Sequence, residues 1–351
     1  MDTIGLDLHK RESQLCILTT DGELIDRRIA TTRERFTAVL GDRPRARILL
    51  EASTESEWAA RHLESLGHEV IVADPGFAPM YATRSRRVKT DKRDARALCE
   101  ACKLGAYRPI HRVSDAQRHV RAELAVRDAV VRTRTRYVAL IKAAVRREGL
   151  RLGQGDPERT AAKLAAIELS AATRAELAPL VAFLEPLNAA IADADRRLAA
   201  LARDSAPARL LQTMPMIGPV TALGFVSALD DVTRFDGPHQ AEAYLGLVPS
   251  EHSSGEHSSG EQQQHRGRIT KRGNTRTRWL LVEAAWRIRR SKVPALAPLN
   301  AWADRIAARR VKRIAIVALA RRLAGILFVM WRTNTPYIAR PIRQEDVVSA
   351  A

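Results

Sequence analysis

Five short β-rich runs at residues 3–8, 12–19, 24–30, 46–51 and 69–73 constrain the fold more than any other feature of the chain. A tight Asp21-Gly22 turn separates the second run from the third, which predicts an antiparallel meander. Helical patterning over about 33–41 and 55–67 precedes the fourth and fifth runs, which predicts βαβ units. Three consecutive strands followed by such crossovers need a mixed sheet covered by helices, so residues 1–105 are expected to form an α/β domain.

The ends of these runs carry acids. Asp7 lies in TIGLDLH and Glu51 closes RILLE, while Asp91 and Asp94 stand three apart in KTDKRDA. A helix starting near Thr90 places the last two on one face at its N-terminus, where the backbone dipole tolerates negative charge. Taken singly, Asp91 reads as a helix-start residue and Glu51 as a surface acid. Together, carboxylates from three segments suit divalent metal and phosphate chemistry, since hard oxygen ligands hold Mg2+ or Mn2+ and two ions about 4 Å apart stabilise attacking and leaving oxygens. Arg84, Arg86, Arg87, Lys89, Lys92, Arg93 and Arg96 surround the helical pair, and this dense basic run reads as a phosphate track.

The rest of the composition agrees with a polyanionic partner. A formal charge of +18 over 351 residues favours nucleic acid, because clustered Lys and Arg release condensed counterions from it, and the length predicts two or three domains. Three cysteines, Cys16, Cys99 and Cys102, cannot supply a disulfide framework, which fits a reducing cytoplasm. Cys99 and Cys102 form a CxxC without a second pair, so they are expected to be small buried residues and not a zinc site. The most apolar stretch, 314–331, is interrupted by Arg321 and Arg322, and no membrane association is expected.

Beyond residue 105 the chain reads as nearly all helix. Ser114-Asp115 can cap a helix reaching about Gly149, with Leu124, Val131, Val138 and Val145 at heptad spacing. A second helix from about Thr173 to Asp204, interrupted or kinked at Pro179 and Pro186, could return antiparallel, giving a hairpin or coiled-coil arm over 106–207. A C-terminal unit over 208–333 opens with LLQTMPMIGPVTALGFVSAL, a helix-hairpin-helix-like element whose Met216 stands where such a motif more often carries Gly; a tail follows over 334–351. From Arg266 to Arg313 there are fifteen Lys or Arg residues against two acids, and Lys271, Arg272, Arg276 and Arg278 are expected to contact phosphate.

GLDLHK, LLEAS, KTDKRDA, PMIGPVTA, AYLGLVPSEHSSG and GRITKRGN occur in that order over nearly the whole chain. In this the sequence resembles the DEDD transposases of the bridge-RNA-guided insertion sequences, the one-hundred-and-ten family. The resemblance implies a RuvC-like, RNase H fold domain at the N-terminus, with Asp7, Glu51, Asp91 and Asp94 as the metal-binding catalytic acids. It implies a C-terminal transposase domain with a nucleophilic serine, and a composite site built between protomers of a dimer or tetramer. It also implies DNA partners, target and donor, chosen by pairing with an element-encoded guide RNA. EHSSG occurs twice in tandem, so counting forward from Pro249 selects Ser254 and counting back from Thr270 selects Ser259. Both stay candidates, with Ser254 preferred.

The chemistry implied is transesterification through a phosphoserine link to DNA. Two other functions compete with it. The same acids could activate water in a hydrolytic nuclease or junction resolvase, or the chain could bind nucleic acid without catalysis.

Overall fold

The computed structural model describes residues 1–81, 90–252 and 265–339. The chain divides into two compact units, Met1–Arg112 and Val113–Ala351.

The first unit is built on five strands, β1 (Thr3–Leu8), β2 (Glu12–Leu18), β3 (Leu24–Ala30), β4 (Arg47–Glu51) and β5 (Glu69–Ala73), with helices α1 (Arg33–Leu40), α2 (Ser56–Ser65) and α3 (Asp91–Leu104). Sheet order is β3-β2-β1-β4-β5, antiparallel through the meander and parallel across β1-β4-β5. Gly22 makes the meander turn with φ +87°, a conformation that a residue lacking Cβ adopts without strain. Strand alternation then divides the side chains between two faces. Ile4, Leu6, Leu8, Ile48 and Leu50 pack with Phe36, Leu40, Ala59 and Leu63 from α1 and α2. On the other face Leu49 packs with Leu98, Ala101 and Cys102 of α3, and Cys16 with Ala95 and Cys99.

Gly5 lets α3 lie almost on the backbone of β1. A Cβ at that position would stand 2.1 Å from the Ala95 carbonyl oxygen and 2.3 Å from the Cys99 nitrogen. All three cysteines are buried at this helix-sheet junction or beside it. The Cys99 thiol donates to the Thr3 carbonyl at 3.3 Å, and burial pushes the Cys102 thiol up to about 12.

The second unit is mostly helical: α4 (Asp115–Arg147), α5 (Thr160–Ala165), α6 (Ala171–Ala182), α7 (Leu184–Asp204), α8 (Ala206–Leu211), α9 (Pro219–Leu229), α10 (Pro238–Tyr244), α11 (Thr275–Arg290), α12 (Ala297–Arg309) and α13 (Lys312–Thr333), with a strand pair β6 (Pro249–His252) and β7 (His265–Ile269). Ser114 caps α4 by accepting from the Gln117 amide. The returning helix breaks at Phe183 between α6 and α7, and α7 runs antiparallel to α4: Glu123 meets Arg197, Arg127 meets Asp195 and Arg134 meets Asn188. At one end of this pair Val138, Ile141, Val145, Leu177 and Leu184 form a small core. At the other, Val120, Leu124, Leu198 and Ala202 join the large core of α8 to α13, so arm and C-terminal helices share packing.

Two helical stretches, Ala171–Asp204 and Lys312–Thr333, are long and apolar enough to cross a membrane by length and composition alone. Here α13 is the central helix of the large core, burying Ile316, Leu319, Leu323, Leu327 and Phe328. The arginines that interrupt it are accommodated locally. Arg321 Nε lies 2.6 Å from the buried Glu242 carboxylate, and the Arg322 guanidinium sits 5.8 Å from the Trp302 ring centroid.

Candidate metal centre

Strand register brings the first two acids together. Leu6 pairs with Leu50 on parallel β1 and β4, so the next position along sets Asp7 beside Glu51, on neighbouring strands about 4.8 Å apart. Both belong to the face that carries Gly5 and Leu49, the face that α3 covers. Thr90 caps α3 by accepting from the Arg93 amide, which fixes Asp91 and Asp94 in the first turn. Asp94 lies on the sheet-facing stripe and is 6% exposed, while Asp91 projects to solvent and Asp7 is 9% exposed.

A residue outside the expected set completes the cluster. His9 Nε2 stands 3.3 Å from Asp7 Oδ2 and 3.6 Å from Asp91 Oδ1, and one donor atom from each of the three lies within 4.8 Å of the others. Two donors each about 2.1–2.2 Å from one ion stand about 3.0–3.6 Å apart at angles of 90–110°, and the two His9 distances fall in that range. Sequence reasoning passed over His9, although period-two alternation from Asp7 in GLDLHK points to it. It also passed over Gln14, which pairs with Asp7 across β1 and β2 and is 8% exposed.

The helix that carries Asp91 and Asp94 is clamped to the edge strand β3 of the sheet. Asp26 of β3 receives Lys92 Nζ at 3.1 Å and Arg96 Nη2 at 2.5 Å. The hydrogen bonds from Arg96, with those from Lys92, hold the Asp26 carboxyl below the usual carboxylate range. Lys92 therefore has a structural role that the expectation of a phosphate contact did not include. Arg93 is exposed in the same turn. Arg84, Arg86, Arg87 and Lys89 lie outside the described residues, as do Ser254 and Ser259.

In the second unit, β6 and β7 pair antiparallel and bracket the segment that holds both serines. These short polar strands were not expected, because neither PSEH nor HRGRI shows apolar alternation. Two glycines join the chain on either side of the pair. Gly246 (φ +69°) and Gly273 (φ +80°) each approach backbone so closely that a Cβ would fall 2.0 Å from the Arg272 carbonyl oxygen and 1.9 Å from that of Tyr244.

Arg278 braces the same junction. It is 9% exposed, and Nη1 donates to the Leu245 and Arg272 carbonyls at 3.0 and 3.1 Å. With Nη2 also donating to Thr275 Oγ1 at 3.3 Å, the guanidinium ties the loop junction together, and Arg278 is a loop brace in this structure. Arg276 lies 3.7 Å from Asp128, whereas Lys271 and Arg272 are exposed. Arg272, Gly273 and Asn274 line a surface cleft of about 480 Å³ with Arg121 and Tyr244.

A carboxylate-rich centre on a mixed sheet, in a chain whose second unit carries a dense run of cations, has the chemistry that suits nucleic acid phosphates. Comparison with known proteins makes this specific. Residues 4–148 match the family model for the DEDD transposases of the IS110 type, and residues 208–299 match the model described as transposase IS116/IS110/IS902 family. A probable family 20 transposase of Pseudomonas aeruginosa is 31% identical over 96% of this chain and 98% of its own length. The transposase for insertion sequence element IS1111A of Coxiella burnetii is 26% identical over 95% of this chain and 90% of its own. That for IS1328 of Yersinia enterocolitica is 27% identical, covering 95% and 98%. The chain belongs to the IS110/IS116/IS902 family of DEDD transposases.

Proposed function

We propose that this transposase cuts and rejoins DNA through a covalent phosphoserine, with Asp7, Glu51, Asp91 and Asp94 as the ligands of a Mg2+ or Mn2+ centre on a RuvC-like scaffold. The observation that carries the reading is the approach of Asp7 and Asp91 around His9, with Glu51 in register beside Asp7. When bound, a pair of divalent ions would neutralise charge on the scissile phosphate and on the oxygens that attack and leave it. The acids hold that charge in place, and Gly5 and the Asp26 clamp keep α3 seated so that their spacing does not relax.

In this reading residues 1–105 carry the metal centre, 106–207 form the arm, 208–333 carry the serine, and 334–351 are a tail. The hydroxyl of Ser254 or Ser259 attacks the scissile phosphorus, a Ser–O–P bond forms, and one strand leaves as a free hydroxyl after taking up a proton. The ester conserves the energy of the broken phosphodiester, so a second hydroxyl can displace the serine and join strands without an external energy source. Target and donor are selected by an RNA that pairs with both, and the protein acts as a dimer or tetramer. A chain rich in phosphate-binding cations and with 5% aromatic residues suits that division of labour, because it has few platforms for stacking bases.

The test is a denaturing gel of protein incubated with labelled donor DNA, co-purified RNA and Mg2+. A DNA-protein adduct that disappears in the double variant Ser254→Ala, Ser259→Ala supports the reading. Undiminished cleavage by that variant would show hydrolysis instead.

A further inference from the structure

We propose that His9 is itself a ligand of the metal centre, and that it biases the centre toward ions that accept imidazole nitrogen, Mn2+ ahead of Mg2+. The inference rests on the metal reading above and adds a donor from outside the four acids.

Two observations carry it. First, one atom of His9, Nε2, faces both carboxylates at 3.3 and 3.6 Å, where a surface histidine needs to meet one acid at most. Second, the three donors come from two elements that the fold fixes independently. His9 and Asp7 leave the end of β1, Asp91 opens α3, and the Gly5 contact and the Asp26 clamp set the distance between them.

The donor set discriminates among ions. Mg2+ demands near-ideal octahedral oxygen ligation and keeps its waters, whereas Mn2+ lies further along the series of ions that bind imidazole. Replacing His9 by Gln should therefore cost Mn2+ affinity and leave Mg2+ affinity almost unchanged. The His9 side chain is 54% exposed, so the substitution leaves no hole in the core.

The experiment uses the full chain loaded with Mn2+. Pulsed electron paramagnetic resonance of the wild type should show nitrogen modulation from a directly bound imidazole, and His9→Gln should abolish it. Calorimetric titrations should show Mn2+ affinity reduced about tenfold or more in His9→Gln, with Mg2+ affinity within about threefold of wild type. Persistent nitrogen modulation in His9→Gln, or equal Mn2+ affinity in the two proteins, would overturn the inference while the four-acid reading stands. Failure of Asp7→Asn to weaken binding of either ion would instead defeat the metal reading on which it rests.

Discussion

Arg96 of α3 grips Asp26 of β3 across seventy residues of chain, with Nε 3.1 and 3.2 Å from the two carboxylate oxygens and Nη2 2.5 Å from Oδ2. Asp91 and Asp94 sit five and two residues earlier on the same helix, so this pair and Lys92 are the polar anchor of the candidate metal centre. Arg96→Met should lower stability by about 1–2 kcal/mol, the contribution of a partly exposed, charge-assisted pair.

The loss should depend on pH in a defined direction. Asp26 is held below its ordinary value in the folded chain, so its contribution is fully present above the unfolded carboxylate value of about 3.9 and is lost as pH falls through the depressed folded value. Urea titrations of wild type and Arg96→Met should therefore differ at pH 7 and converge in strong acid. A difference that persists at the acid end would assign the effect to packing instead of charge.

Gly5 offers a steric test of the same junction. A methyl group there would collide with the Ala95 carbonyl and the Cys99 amide, both backbone atoms that cannot rotate away. Gly5→Ala should destabilise the first unit by about 2–3 kcal/mol or more, a cost typical of overpacking, and should weaken metal binding by moving α3 off the sheet. Gly22→Ala is the control. Its φ is also unfavourable for alanine, but nothing lies within 4 Å of the new methyl, so stability should fall by about 1 kcal/mol with metal affinity unchanged.

Among the cations of the second unit, burial separates two roles. Lys271→Ala and Arg272→Ala should each weaken DNA binding and flatten its salt dependence by about one unit of log-log slope, because both side chains are exposed. Arg278→Ala should leave that slope unchanged and lower thermal stability, since it strips two backbone carbonyls of their donor. A reduced salt slope in Arg278→Ala would return this residue to the phosphate-contacting set.

Much of this architecture was legible in the residues because it rests on local rules. Short β-rich runs located five strands and the Asp-Gly step located the meander turn, while Ser114 and the heptad spacing located the long helix α4. Met216 stands where the helix-hairpin-helix motif more often carries Gly, and its φ of +70° shows the backbone strain which that substitution carries. Features set by tertiary contact were not legible. His9 joins two acids only because α3 descends onto Gly5, and Arg278 turns inward because two loops meet at Gly246 and Gly273. Nothing in the local pattern distinguishes Arg278 from Arg276 two residues before it. The strands β6 and β7 escaped for the same reason, being held by pairing and not by apolar alternation.

An anomalous difference map from crystals of the full chain grown with Mn2+ tests directly whether these carboxylates hold an ion. A peak is expected within coordination distance, about 2.2 Å, of Asp7 and Asp91, with Glu51 or Asp94 in the same shell. Manganese bound at saturating concentration to some other group, with these four carboxylates turned away from one another, would contradict it.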